Sequence, residues 1–80
     1  MPQIELEYFA QLSEATGLRS EIRNTPALTA AALYDELREQ YGFALPPGRM
    51  RVAVNAAFRP WEQELFEGDH VVFIPPVTGG

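Results

Sequence analysis

Ile4, Leu6 and Tyr8 alternate with Glu5, Glu7 and Phe9, the two-residue period of a strand covered on one face. A short helical stretch over 10–15 follows, with Leu12 and Ala15 expected inward, and Gly17 ends it. From Leu18 to Arg23 the alternation returns, with Leu18, Ser20 and Ile22 on one face and Arg19, Glu21 and Arg23 on the other. Antiparallel pairing of these two strands would bring Arg19 and Arg23 toward Glu5 and Glu7 across a solvent face. Each such pair is worth about 0.2–1 kcal/mol, enough to tune register but not to make a fold.

Asn24-Thr25-Pro26 breaks the strand pattern. Thr29 then suits a helix N-cap, and Leu28 a hydrophobic staple against Leu33. Leu33, Leu37 and Tyr41 recur every four residues, and Ala30 and Tyr34 widen the stripe, which predicts an amphipathic helix of about three turns ending at Gly42. Phe43 and Leu45 return apolar mass before an exposed turn at Pro46-Pro47-Gly48. The next strand spans 51–55, with Val52 and Val54 inward. Asn55-Ala56-Ala57 turns the chain toward Phe58 without the glycine that would declare a turn type. Segment 59–65 reads as irregular or as a very short edge strand, because Pro60 cannot complete a ladder. Within it Leu65 is an inward anchor, and Trp61 either lids the core or lies at an interface. Glu67-Gly68-Asp69 is a turn, and 70–74 is the last strand. Val71 and Phe73 face one way there and Val72 and Ile74 the other, so the strand is apolar on both faces and reads as central.

The expected architecture is a single α+β domain over 1–80: a mixed sheet with one main helix packed on one face. First and last strands paired in the middle would run parallel. The helix leaves the other sheet face open, where Phe9, Phe58 and Ile74, with Val72, would form an apolar patch that calls for a partner. The alternative is that segment 56–67 folds over them.

Composition narrows the chemistry. The 80 residues hold no cysteine, which removes disulfides, thiol nucleophiles and cysteine metal sites. Eleven acids against six arginines and no lysine give a net charge of -5, which opposes a grip on nucleic acid and favours a partner with a basic docking surface. No apolar run approaches the about 20 residues that cross a bilayer, and a cytoplasmic location is the default. His70 follows a Gly-Asp turn with no nucleophile in a suitable context, so a hydrolase reading fails. Glu62, Glu64, Glu67 and Asp69 do not match a calcium loop and read as a solvated rim. No Gly-rich phosphate cradle follows a strand.

What remains is the end, Pro75-Pro76-Val77-Thr78-Gly79-Gly80. The prolines stop the strand at Ile74. Gly79 and Gly80 carry no side chain to crowd a carboxylate. Such a 75–80 tail suits threading into a narrow channel and equally suits a frayed terminus. A carboxylate is a poor electrophile, and adenylation would turn it into a mixed anhydride open to a sulfur donor.

Tyr8-Phe9-Ala10-Gln11-Leu12, Val54-Asn55, Gly68-Asp69 with Val71, and Phe73-Ile74 running into Pro75-Pro76-Val77-Thr78-Gly79-Gly80 occur together at these distances. In that combination the chain resembles the small, sulfur-carrying subunits of molybdopterin synthase, within the ubiquitin-like β-grasp superfamily. The resemblance spans essentially the whole chain. It implies that Gly80 is adenylated by an activating enzyme similar to those of ubiquitin, with ATP and Mg used by that enzyme and no cofactor or metal bound by this chain. Conversion to a thiocarboxylate follows, Gly79 giving clearance. The tail, through Val77 and Thr78, would enter the large catalytic subunit of a heterotetramer and donate sulfur to cyclic pyranopterin monophosphate, forming the dithiolene. The chain alone would have no activity. Docking positions carried over by the resemblance are Phe9, Phe58 and Ile74, and Pro75, Pro76, Val77 and Thr78 complete the expected partner-binding set. Ser13 stands where many members have arginine, Ile74 where phenylalanine is frequent, and 55–57 lacks the usual glycine. Those departures leave open a related carrier for thiamine, tRNA or amino-acid sulfur transfer, or a protein modifier joined through Gly80.

Overall fold

The computed structural model describes residues 1–76. Strand β1 (Gln3–Tyr8) leads through helix α1 (Ala10–Thr16) to β2 (Ser20–Asn24) and then to the main helix α2 (Ala30–Tyr41). A 3-10 turn at Pro47–Arg49 precedes β3 (Arg51–Val54), β4 (Ala57–Arg59) and β5 (His70–Ile74). The sheet order is β2-β1-β5-β3-β4. β1 and β5 are parallel at its centre, in register from Glu5↔His70 to Tyr8↔Phe73, and every other neighbour is antiparallel. This is the β-grasp arrangement expected from the sequence. No helix among the described residues is long and apolar enough to cross a membrane.

The core lies between α2 and one sheet face. Ile4, Leu6 and Tyr8 of β1, Val52 and Val54 of β3, and Val71 and Phe73 of β5 are buried against Ala30, Leu33, Tyr34 and Leu37 of α2. Each such large side chain contributes about 1.5–3 kcal/mol by leaving water, so this stripe outweighs any surface ion pair. Phe73 sits at its centre, with ring centroids 5.1 Å from Tyr34 and 5.9 Å from Trp61. Trp61 is therefore a lid on the core.

Segment 60–65 is irregular for an identifiable reason: its carbonyls serve the start of α2. The Ala30 N–H donates to the Gln63 carbonyl at 3.0 Å and the Ala31 N–H to the Trp61 carbonyl at 2.9 Å. The Ala32 N–H donates to Thr29 Oγ1 at 3.2 Å, the cap read from sequence. Three donors that a helix N-terminus leaves orphaned are thus satisfied. The short strand falls earlier than expected, at 57–59. Asn55 and Ala56 both have positive φ, 52° and 70°, in a two-residue loop between Val54 and Ala57, the I′ arrangement that folds the chain straight back. Asn55 also clips this hairpin to the next turn. Its Nδ2 donates to Asp69 Oδ1 at 2.9 Å, and its Oδ1 accepts from the His70 N–H at 2.9 Å.

Three expectations fail. Ala15 is exposed, and Leu12 alone turns α1 inward. Leu28 is 73% exposed and forms no buried staple, because its carbonyl is drawn to the Leu65 N–H at 3.0 Å. The faces of β2 are reversed. Leu6↔Glu21 and Ile4↔Arg23 pairing puts the charged residues on the helix side and leaves Ile22 68% exposed on the open side.

The cause of that reversal is a polar seam along the β2 edge of the core. Glu21 Oε2 accepts from the Tyr8 hydroxyl at 2.7 Å and the Tyr41 hydroxyl at 2.9 Å. Arg23 spans from Glu21 Oε1 at 3.0 Å to Glu36 Oε2 at 2.5 Å, and also donates to Gln40. Thr25, fully buried, donates to Glu36 Oε1 at 2.6 Å and accepts from the Ala27 N–H at 3.0 Å. Arg23 therefore does not reach across to Glu5 or Glu7 as the alternation suggested. Among the described residues no buried side-chain polar atom lacks a partner. Burial works against the Glu21 carboxylate, but the donors from Tyr8, Tyr41 and Arg23 outweigh it and hold the carboxyl below its ordinary range.

Two outcomes follow for stability. An alanine in the left-handed region costs about 1–2 kcal/mol that glycine avoids, offset by glycine's extra chain entropy. Ala56→Gly should therefore raise the urea-unfolding free energy by about 0.5–1 kcal/mol. Glu21 has a lowered pKa in the folded state, so its contribution is complete above the ordinary value of 4.5 and is lost as pH falls through the lower folded value. Glu21→Gln should cost about 1–3 kcal/mol at neutral pH, and that gap should shrink as the pH of the unfolding titration drops below the ordinary value. A gap independent of pH would contradict the seam's electrostatic role.

Candidate functional site

Alternation sends the remaining β-side chains to the face that α2 does not cover. Ser20, Glu7, Val72, Ala53 and Phe58 form one row across all five strands, each paired to the next. The row before it runs Ile22, Glu5, His70, and the row after it joins Ile74 to Arg51. The open face is thus apolar on its β5-β3-β4 side and acidic on its β1 side. Phe58 is 62% exposed, and the Arg51 guanidinium lies 5.5 Å from its ring centroid. Val72, Ala53 and Ile74 are half-buried. Glu7 Oε1 meets His70 Nε2 at 3.0 Å, a pair on the sheet surface with more than a third of each side chain exposed.

The sequence-derived docking residues divide into two neighbouring hollows. Phe58, Ile74, Pro75 and Pro76 share a groove of about 510 Å³ with Arg49, Met50 and Arg51. Phe9, 47% exposed, lines a second hollow of about 570 Å³ with Glu5, Glu7, Ser13 and Arg19. Because Tyr8 pairs with Phe73, Phe9 and Ile74 are the next residues at the same end of the parallel pair. Segment 56–67 does not fold over this face: Phe58 is left in solvent while Trp61 and Leu65 turn to the core. Val77, Thr78, Gly79 and Gly80 lie outside the described residues.

Sequence reasoning missed two members of the face. Ile22 was paired with the wrong side because Glu21 and Arg23 carry charge, and charge normally marks the solvent face. Arg51 opens the strand over 51–55, and its charge alone does not mark it as part of an apolar face. Its place opposite Ile74 follows from register, which no single strand reveals. Among the described residues no three His, Asp or Glu side chains converge for a metal. Among the described residues the face offers a contact surface that continues into Pro75 and Pro76.

A model of the ThiS family matches residues 6–80. The molybdopterin synthase sulfur carrier subunit of Haemophilus influenzae is 34% identical over 76 residues, covering 91% of this chain and 94% of that protein. Its Escherichia coli counterpart is 34% identical over 80 residues, covering 96% and 99%. Among solved structures, the small archaeal modifier protein 1 of Haloferax volcanii superposes with a TM-score of 0.80 at 21% identity, over 96% of this chain and 100% of that one. A Helicobacter pylori complex of subunits 1 and 2 of molybdopterin-converting factor contains a chain matching with a TM-score of 0.67 at 24% identity, over 98% and 99%. At those identities the structural matches speak for the fold.

Proposed function

The chain belongs to the ThiS family, and on that footing we propose that it is the sulfur-carrier subunit of a molybdopterin synthase. The observation that supports this best is the continuity of the apolar strip, exposed Phe58 with half-buried Val72 and Ile74, with Pro75 and Pro76 at the end of the central strand. A partner that covers the strip receives the following residues directly. The relatives named for this role cover nearly the whole chain. In the Helicobacter pylori complex a similar chain is bound to subunit 2, which favours a large catalytic subunit as the partner here. The likeness to the archaeal modifier is one of fold, so conjugation to protein targets is the weaker reading.

In this reading an adenylating enzyme uses ATP and Mg to convert the Gly80 carboxylate to an acyl adenylate. A sulfur nucleophile then displaces AMP and leaves the thiocarboxylate. Gly79 and Gly80 present the acyl carbon without side-chain obstruction, and Val77 and Thr78 hold the tail in the large subunit. Sulfur passes there to cyclic pyranopterin monophosphate. The body contributes docking and aim, with Phe9, Phe58 and Ile74 at the interface, and it works in the cytoplasm.

Incubation with the activating enzyme, ATP, Mg and a sulfur source should shift the intact mass by the exchange of one oxygen for sulfur, and deletion of Gly79-Gly80 should abolish the shift while the fold persists. No shift under conditions that thiolate an established carrier would refute the proposal. Phe58→Ala should weaken binding to a molybdopterin synthase large subunit by about 2 kcal/mol, the scale of an interface hot spot, with unfolding unchanged. Failure of the wild-type chain to bind that subunit, with thiolation intact, would favour a carrier for another sulfur pathway.

A further inference from the structure

Among the described residues the sheet ends in β2 on one side and β4 on the other, and the two edges are finished differently. β4 is three residues long and runs into Pro60, whose ring has no donor for a ladder. β2 (Ser20–Asn24) keeps unbroken register with β1 from Gln3↔Asn24 to Glu7↔Ser20 and contains no proline. An edge of that kind is a template for another strand. Its outward groups follow from the ladder. The Tyr8 N–H donates to the Arg19 carbonyl at 2.8 Å, and the Thr25 N–H to the Pro2 carbonyl at 3.1 Å. Bonded pairs alternate with unbonded ones in an antiparallel ladder, so Glu21 and Arg23 also direct their backbone groups to β1. Ser20, Ile22 and Asn24 direct theirs away from the sheet, and all three residues are exposed.

The sequence along that edge is complementary to itself. When two β2 strands lie antiparallel and centred on Ile22, Ile22 faces its counterpart, Ser20 faces Asn24 of the other strand, and Glu21 faces Arg23 in both directions. The central pair then falls at a bonded position, each Ile22 N–H donating to the other Ile22 carbonyl, and the Ser20 and Asn24 pairs fall at the next bonded positions on either side. A slip of two residues, the smallest that keeps the outward groups facing, sets Glu21 against Glu21 or Arg23 against Arg23. Charge thus selects one register. On the open face the two Ile22 side chains, each 68% exposed in the single chain, come to lie side by side, and cross-strand pairs of β-branched residues attract.

We propose that β2 pairs with β2 of a second copy about a two-fold axis at Ile22, joining the two sheets into one. β2 and β4 are opposite edges, so the pair leaves the strip of Phe58, Val72 and Ile74 uncovered in both copies. The polar seam stays intact: Glu21 keeps Tyr8 and Tyr41, Arg23 keeps Glu36, and each gains the opposite charge of the other copy alongside. One edge of five residues is small beside the about 1,200 Å² at which stable complexes begin. Two chains of net charge -5 also repel one another. The dimer is therefore a reversible one that fills at high concentration.

Sedimentation equilibrium of the full chain at physiological salt, where charges are screened beyond about 8 Å, should show the average mass rising from one chain toward two between micromolar and millimolar concentration. Over the same range the backbone amide proton resonances of Ser20, Ile22 and Asn24 should move more than those of Glu21 and Arg23, the alternation that new bonds at the outer edge produce. Ile22→Asp sets like charges opposite each other and removes the apolar pair, and should weaken association about tenfold with the chain still folded. Leu28→Asp, the same change at a comparably exposed residue outside the edge strand, should associate as the wild type does. A wild type that stays monomeric at millimolar concentration would overturn the inference. So would a dimer that Ile22→Asp leaves intact, one that both aspartate variants weaken equally, or one whose shifts centre on Phe58 and Ile74. Should Ile22→Asp not fold, the alternation of amide shifts in the wild type decides alone.

Discussion

The parallel pairing of β1 with β5 fixes where everything else can go. Parallel neighbours need a long crossover, and here the crossover is the rest of the chain, including α2, which packs back over one face. The last strand becomes central, buried through Val71 and Phe73 on one side and half-covered through Val72 and Ile74 on the other. A terminal strand at an edge would fray easily. At the centre it is held by ladders on both sides, so the residues that follow leave from a rigid base.

The two sides of the sheet then divide the work. The helix side carries the stabilising burial, closed along the β2 edge by a fully satisfied seam of Glu21, Arg23, Thr25 and Glu36. The open side contributes little to stability and is free to be sticky: Phe58 and Ile22 are largely in water. On the β4 edge, exposed Phe58 adjoins the half-buried Ala53, Val72 and Ile74, and such an apolar strip marks an interaction surface. The clip from Asn55 to Asp69 and His70 keeps the hairpin bearing Phe58 in line with β5. Asn55 and Asp69, two of the residues that carry the resemblance, therefore hold the geometry of this hairpin.

Much of this was legible in the sequence because it depended on periodicity and on local turn chemistry. The stripe of α2, the cap at Thr29, the stops at Gly17 and Gly42 and the central character of 70–74 are all short-range signals. The reversal of β2 was illegible because its deciding partners are distant. Glu21 is held by Tyr41, twenty positions on, and Arg23 by Glu36, thirteen on. Read alone, a strand with Leu18 and Ile22 on one side and Glu21 and Arg23 on the other points the wrong way. The irregular 60–65 segment was recognised as irregular through Pro60, but its task of capping α2 is a tertiary fact. At the site, Phe9, Phe58 and Ile74 were found by asking which apolar residues the helix could not cover. Arg51 escaped that question because it is charged.

Adhesion on the open face is divided by strand. Exposed Phe58 at the β4 edge and half-buried Ala53, Val72 and Ile74 make the β5-β3-β4 side apolar, while Glu5 and Glu7 make the β1 side acidic. Arg51 joins the apolar side without being apolar: its guanidinium lies 5.5 Å from the Phe58 ring centroid, and it lines the groove that holds Pro75 and Pro76. A partner that buries the strip has to answer an apolar patch and a positive charge together, and the charge fixes orientation where burial alone does not.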